Sequence, residues 1–185
     1  FLLPVLEALL EAFPFLILGF HADNGSEYIN KRVASLLEKL RIEQFTKSRA
    51  RKTNDNALVE SKNGSVVRKH LGYAHIPGRF AKAVNAFTQD VLSPYLNFHR
   101  PCFFPTEEVD AKGRIRKRYR YEEMRTPFEK LKSLPGADRY LKPGITLEQL
   151  DAVAYAISDN EAARQLNQAR ADLFRSINNA QNPAA

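Results

Sequence analysis

One cysteine, Cys102, stands in a chain of 185 residues. A lone thiol excludes an internal disulfide and a cysteine-rich zinc site, and it fits a reducing compartment. Internal repeats and low-complexity tracts are also absent, which argues against a repeat array or a compositionally biased tail. No uninterrupted apolar run reaches membrane-spanning length. Phe1 to Phe20 is rich in Leu, Phe, Ile and Val, but Pro4, Glu7, Glu11 and Pro14 break it. No basic segment precedes this stretch and no small-residue cleavage site follows, so neither a signal peptide nor a membrane span is expected. An initiating methionine is missing as well, so the expectation is a chain that starts partway through a longer protein or has been processed. Acid is scarce where base is dense: nine Lys and Arg lie between Lys47 and Lys82, against Asp55 and Glu60 alone.

What is present is ordinary in bulk. The chain is 44% hydrophobic and 26% charged, as in a soluble globular protein with room for one domain and an appendage. The net charge of +7 points to a polyanionic partner. A second basic run, Lys112 to Arg120, holds six basic residues in nine and no acid. An isolated run of this kind is usually a solvated face; one adjoining candidate metal-binding acids argues for phosphate contact.

The pattern of elements is α/β. A helix is expected from about Pro4 to Ala12. Phe15 to Phe20 is a short continuous apolar run, expected as a buried strand with Asp23 at its carboxyl end, where open α/β sheets place ligands. Asn24 or Ser26 can cap the next helix, whose apolar positions Ile29, Val33, Leu36, Leu37 and Leu40 follow helical spacing. Ile42 to Thr46 reads as a shorter strand and Lys47 to Asp55 as a basic loop. A helix from Asn56 to about His70 carries Glu60 early, with Gly64 weakening it or allowing a close approach. A long amphipathic helix is expected from Arg79 to Phe98, kinked or ended by Pro94. Asp110 to Gly113 looks like the turn of a hairpin. Thr146 to Gln149 forms a capping box that opens one or two helices reaching about Ile177. The organisation expected is 1–100 as the α/β part, 101–135 as a basic linker with a hairpin, and 136–185 as a helical appendage.

Two carboxylates carry the chemistry. In-line phosphodiester transfer is well served by two metal ions about 4 Å apart, one at the attacking and one at the leaving oxygen. Mg²⁺ takes oxygen ligands and keeps several waters, so it needs few, rigidly placed carboxylates. Asp23 at a strand end and Glu60 on a helix are such placements, and the 36 residues between them allow the chain to return to the same edge. Each has a plainer reading: Asp23 as the cap of an Asn-Gly turn, Glu60 as a surface acid beside Lys62 or Arg68. His21 and His75 are read as structural, and Cys102 has no evident catalytic partner.

Taken with their neighbours, the phrases are specific. Asp23-Asn24-Gly25-Ser26-Glu27-Tyr28 resembles the second-acid motif of insertion-sequence transposases and retroviral-type integrases. Ser48 to Glu60 resembles their third-acid motif with its preceding loop. Tyr95, Asn97, Arg100 and Pro101 resemble the family's Tyr-Asn…Arg-Pro segment, and Thr126-Pro127-Phe128-Glu129-Lys130-Leu131 its Thr-Pro close. The resemblance implies a partial RNase H-like (integrase catalytic core) fold followed by a mainly helical C-terminal region. It implies transposition of DNA by metal-dependent cleavage and strand transfer, with Asp23 and Glu60 as catalytic metal ligands and Mg²⁺, or Mn²⁺ in its place, as the cofactor. Asn24 would orient the metal shell or serve the turn. Arg49, Arg51 and Lys52 on the loop would meet DNA phosphates first, then Lys62, Arg68 and Lys69, with Arg116 and Arg118 on the second basic run. Element ends and target DNA are the implied partners, a homo-oligomer the implied assembly, and the bacterial cytoplasm, on the nucleoid when DNA-bound, the implied location.

The sequence departs from that pattern in three ways. The family's first Asp would lie upstream of residue 1, so the isolated chain is expected to be inactive in strand transfer. The spacing of the two acids is about one residue longer than usual. Many relatives place a basic residue seven positions after the glutamate; here Val67 stands there and Arg68 follows, about 80° around a helix from Glu60. The competing expectation is a catalytically inactive, DNA-binding remnant of a transposase. An RNase H-like nuclease or resolvase would leave the Arg-Pro and Thr-Pro segments without explanation.

Overall fold

The computed structural model describes residues 2–22, 31–39, 42–49 and 61–181. They belong to two compact units, Phe1–Ile76 and Pro77–Ala185, and mix helices with small sheets. Among the described residues no helix is long and apolar enough to cross a membrane.

The first unit opens with α1 (Leu2–Ala12), which carries Glu7 and Glu11 on a helix. Strands β1 (Gly19–Ala22) and β2 (Gln44–Lys47) pair in parallel, Gly19 opposite Gln44 and Ala22 opposite Lys47. Parallel neighbours need a crossover, and α2 (Lys31–Lys39) lies between them in the chain. Its Val33, Leu36 and Leu37, one helical stripe, are buried with Leu10 of α1, and Ile17, Phe20 and Ile42 close the cluster. Each such apolar side chain contributes about 1.5–3 kcal/mol when fully buried.

Both strands start later than the apolar pattern suggests. The expected strand at Phe15 to Phe20 pairs with β2 only from Gly19, with one further bond from Gln44 N–H to the Leu18 carbonyl, while Phe15 forms an isolated bridge. Leu16 is exposed, so the run is not buried on both faces. The second strand begins at Gln44 because the Ile42 N–H is already spent on the Leu37 carbonyl that closes α2. Ladder pairing, which hydropathy does not report, sets these bounds.

Residues 61–71 are helical, with a π-helical centre at Asn63–Arg68 and an α turn at Lys69–Leu71. Gly64 lies within the π segment, and nothing among the described residues stands within 4 Å of where its Cβ would be. Gly72 stops the helix: its φ of 77° is a backbone state that costs glycine little.

The second unit begins with a helical stretch, 78–99. A 3₁₀ turn, Gly78–Phe80, leads into α3 (Ala81–Phe87), then into π-helical Thr88–Leu92 and Tyr95–His99. Pro94 therefore does not end the helix. Proline removes one donor from an α ladder, and here the ladder on both sides of it has slipped to the wider register, while the Asn97 side chain donates to the Ser93 carbonyl at 2.9 Å. Strands β3 (Thr106–Val109) and β4 (Ile115–Arg118) then form an antiparallel hairpin.

Among the described residues three α-helices follow, α4 (Pro127–Lys132), α5 (Leu147–Ala154) and α6 (Asp159–Gln181), with 3₁₀ turns at Tyr121–Glu123 and Ala137–Tyr140. Both α4 and α5 open with a full capping box. Thr126 Oγ1 accepts from Glu129 N–H while Glu129 Oε2 accepts from Thr126 N–H, and Thr146 and Gln149 repeat the exchange. Phe128 is 0% exposed at the centre of the core, with the Phe98 ring 5.4 Å away. Leu92, Leu141, Leu150 and the α6 stripe Ala162, Leu166, Leu173 and Ile177 are buried as well.

Candidate nucleic-acid interface

The parallel register of β1 and β2 makes the two carboxylate-bearing phrases leave the sheet at one end. Asp23 is the residue after Ala22, and Ser48 the residue after Lys47, and these strand ends are register partners. His21 ties the two exits together. Its Nδ1 is 2.8 Å from Thr46 Oγ1 and its Nε2 is 3.1 Å from Ser48 Oγ. A neutral imidazole donates through one nitrogen and accepts through the other, and a hydroxyl satisfies either. Ser48 is buried at 3% exposure, and Arg49 beside it is exposed. Asp23, Asn24, Arg51, Lys52 and Glu60 lie outside the described residues.

Lys62, Arg68 and Lys69 are all exposed on the helical stretch beyond Glu60. The Arg68 guanidinium lies over the Tyr73 ring, 5.3 Å from its centre. Such stacking holds the cation at the surface without neutralising it. The chemistry available on this unit is therefore cationic and oxygen-rich. Among the described residues no three His, Cys, Asp or Glu side chains gather as a metal site. A divalent ion suits Asp23 and Glu60 on donor type, both being hard carboxylates, and Asp23 directly follows a paired strand end.

The hairpin of the second unit carries Arg116 and Arg118. Arg116 Nε is 3.0 Å from Asp110 Oδ2, Arg118 Nε is 3.1 Å from Glu108 Oε2, and Arg120 also pairs with Glu108. At the turn, Asp110 Oδ1 accepts the backbone N–H of Arg114 at 3.0 Å and of Lys112 at 2.9 Å. The Arg114 N–H first, then the Lys112 N–H and the Arg116 side chain, hold the Asp110 carboxyl below its ordinary value.

The later motif segments serve as scaffold. Asn97 satisfies a helix carbonyl, Thr126 to Glu129 is a cap, and an antiparallel bridge joins Cys102 to Arg125 by bonds of 2.8 and 3.2 Å. The bridge places the segment after Arg100 and Pro101 beside the start of α4.

No protein-family model matches the chain, and no solved structure does. It is 38% identical over 107 residues to a protein of Sinorhizobium fredii (strain NBRC 101917 / NGR234) described as "Uncharacterized protein y4rM". The matched stretch is 58% of this chain and 30% of that protein, so the chain spans under a third of its relative's length.

Three features differ in how far sequence alone reveals them. The two hydroxyl partners of His21 lie 25 and 27 residues away, beyond any local pattern. The box at Thr126 has a local signature that the motif resemblance overshadows: a Thr three residues before a Glu, with Pro at the first helical position. Buried His99, 3.0 Å from Asp159 Oδ1 at the start of α6, has no signal in the sequence at all.

Proposed function

We infer that this chain is part of an integrase-type DNA transposase with an RNase H-like core, in which Asp23 and Glu60 hold divalent ions against the scissile phosphate. The observation that carries this reading is the common exit of the two motif phrases from one end of the β1–β2 pair, cross-tied by His21. A strand end and a helix reached through the adjoining loop are the rigid placements such carboxylates need. Bound there, Mg²⁺ or Mn²⁺ supplies Lewis-acid stabilisation of charge at the attacking and leaving oxygens. The chain's own residues bind and orient. Arg49, Arg51 and Lys52 on the loop, and Lys62, Arg68 and Lys69 beyond Glu60, neutralise backbone phosphates and fix the DNA relative to the acids. His21 fixes the start of that loop against β1. Element ends and target DNA are the partners, and a homo-oligomer holds two ends together.

The test is a joining assay with the complete protein that contains this chain, run beside a DNA-binding assay. Glu60→Gln removes joining and leaves DNA affinity nearly intact. Joining at wild-type rate by that variant would remove Glu60 from the assignment. The competing reading is a DNA-binding remnant that does not join. DNA binding without joining by the complete wild-type protein would decide for it.

A further inference from the structure

Strand alternation divides the hairpin into two unlike faces. The register pairs Thr106 with Arg118 and Glu108 with Arg116 on one face, and there Arg116, Arg118 and Arg120 are engaged by Asp110 and Glu108. The other face holds the pairs Val109–Ile115 and Glu107–Lys117, and Tyr119 continues it. Val109 is 70% exposed, Ile115 66%, Tyr119 58% and Tyr121 78%. These side chains are not packing the hairpin onto the core. Phe103 stands edge-on to both tyrosines, its ring centre 6.5 Å from Tyr119 and 5.1 Å from Tyr121, which keeps the three rings together at the base of the hairpin.

We propose that this second face binds single-stranded nucleic acid, the Tyr119 and Tyr121 rings stacking on bases while Lys117 on the face and Lys112 and Arg114 at the turn end of the hairpin meet the backbone. Charge selects this occupant over a protein. Lys112, Arg114 and Lys117 make no ion pair among the described residues; Glu108 and Asp110 are engaged by the opposite face, and with Glu107 opposite Lys117 the stretch 106–120 still sets six cations against three acids. Exposed aromatic rings flanked by an excess of cations form a stacking platform with an electrostatic guide, which binds strands with little sequence preference. An arginine-rich face neutralised by its own acids has less to offer a phosphate chain. The proposal stands on the second unit and does not need Asp23 or Glu60.

The experiment uses the chain 1–185 and a fluorescein-labelled mixed-sequence 15-mer, single-stranded and as a duplex, read by anisotropy in EDTA. The single strand binds more tightly. Tyr119→Ala and Tyr121→Ala each weaken it about tenfold, whereas Tyr119→Phe, which keeps the ring, binds like wild type. Lys117→Gln lowers the salt slope by about 0.7. Binding is read in EDTA and does not depend on joining, so a failed transposase reading and a failed platform are told apart. Unchanged binding by both alanine variants overturns the proposal, and so does equal loss in the alanine and phenylalanine variants. Sedimentation showing that Tyr119→Ala dissociates a dimer, with strand affinity unaltered, would assign the face to a second copy instead.

Discussion

The unit of residues 1–76 carries the phrases with chemical meaning on slender supports, and the unit of residues 77–185 carries few such phrases on well-fastened ones. In the first, a two-stranded parallel sheet and a cluster around Leu10, Val33, Leu36 and Leu37 present the ends from which Asp23 and Arg49 continue. In the second, capping boxes start α4 and α5, and a fully buried Phe128 sits between elements drawn from distant parts of the chain. The difference teaches where stability resides. Two short strands share little apolar surface, while short capped helices gain most of their stability by packing apolar faces against one another.

The largest effect that can sharpen this contrast comes from Phe128. Phe128→Ala is expected to cost the second unit about 3–5 kcal/mol, measured by urea unfolding, while amide exchange in β1 and β2 stays as it was. A matching loss of protection in the strands would dissolve the distinction between the units. Next comes His21→Ala, which removes two side-chain bonds and is expected to cost about 1–2 kcal/mol. Its mark is local: faster exchange at Ala22 and Lys47, with no change in the unfolding of α4 to α6. Protection at those amides equal to wild type would deny His21 its tie.

The smallest effect is a pH dependence confined to the hairpin. Asp110 titrates below its ordinary 3.8 because the folded turn holds its charged form. By linkage, its stabilisation is complete above the unfolded value and is lost as pH falls through the lower, folded one. The Val109 and Ile115 amide shifts should therefore move toward random-coil values only below about pH 4. In Asp110→Asn that acid transition should vanish. Persistence of the transition would deny Asp110 this role.

Features encoded within a few residues are legible in the sequence. The stripe Val33, Leu36, Leu37, the Thr146 box and the Asp110 to Gly113 turn, closed by a 2.9 Å bond from Gly113 N–H to the Asp110 carbonyl, each express a local rule. Strand limits differ from the apolar pattern by a few residues because they depend on when a partner becomes available, as the spent Ile42 N–H shows. The π-helical register around Pro94 leaves no trace in side-chain periodicity. Of the candidate site, the residue types and their order are legible, and the His21 tie is not, since it joins positions that are neighbours only after β1 and β2 pair.

The π-helical passages have a consequence for how chain length varies. A π turn is how a helix carries one surplus residue without rotating the turns beyond it. Within Thr88–Leu92 or Tyr95–His99, losing one residue lets the ladder relax to the tighter register and leaves the downstream side chains in phase. The same loss in the middle of α6 turns every later residue by about 100° and carries Leu173 and Ile177 off the buried stripe. The stretch around Pro94 thus works as a slip joint, where length can change while direction is kept, and α6 as a ruler, where it cannot.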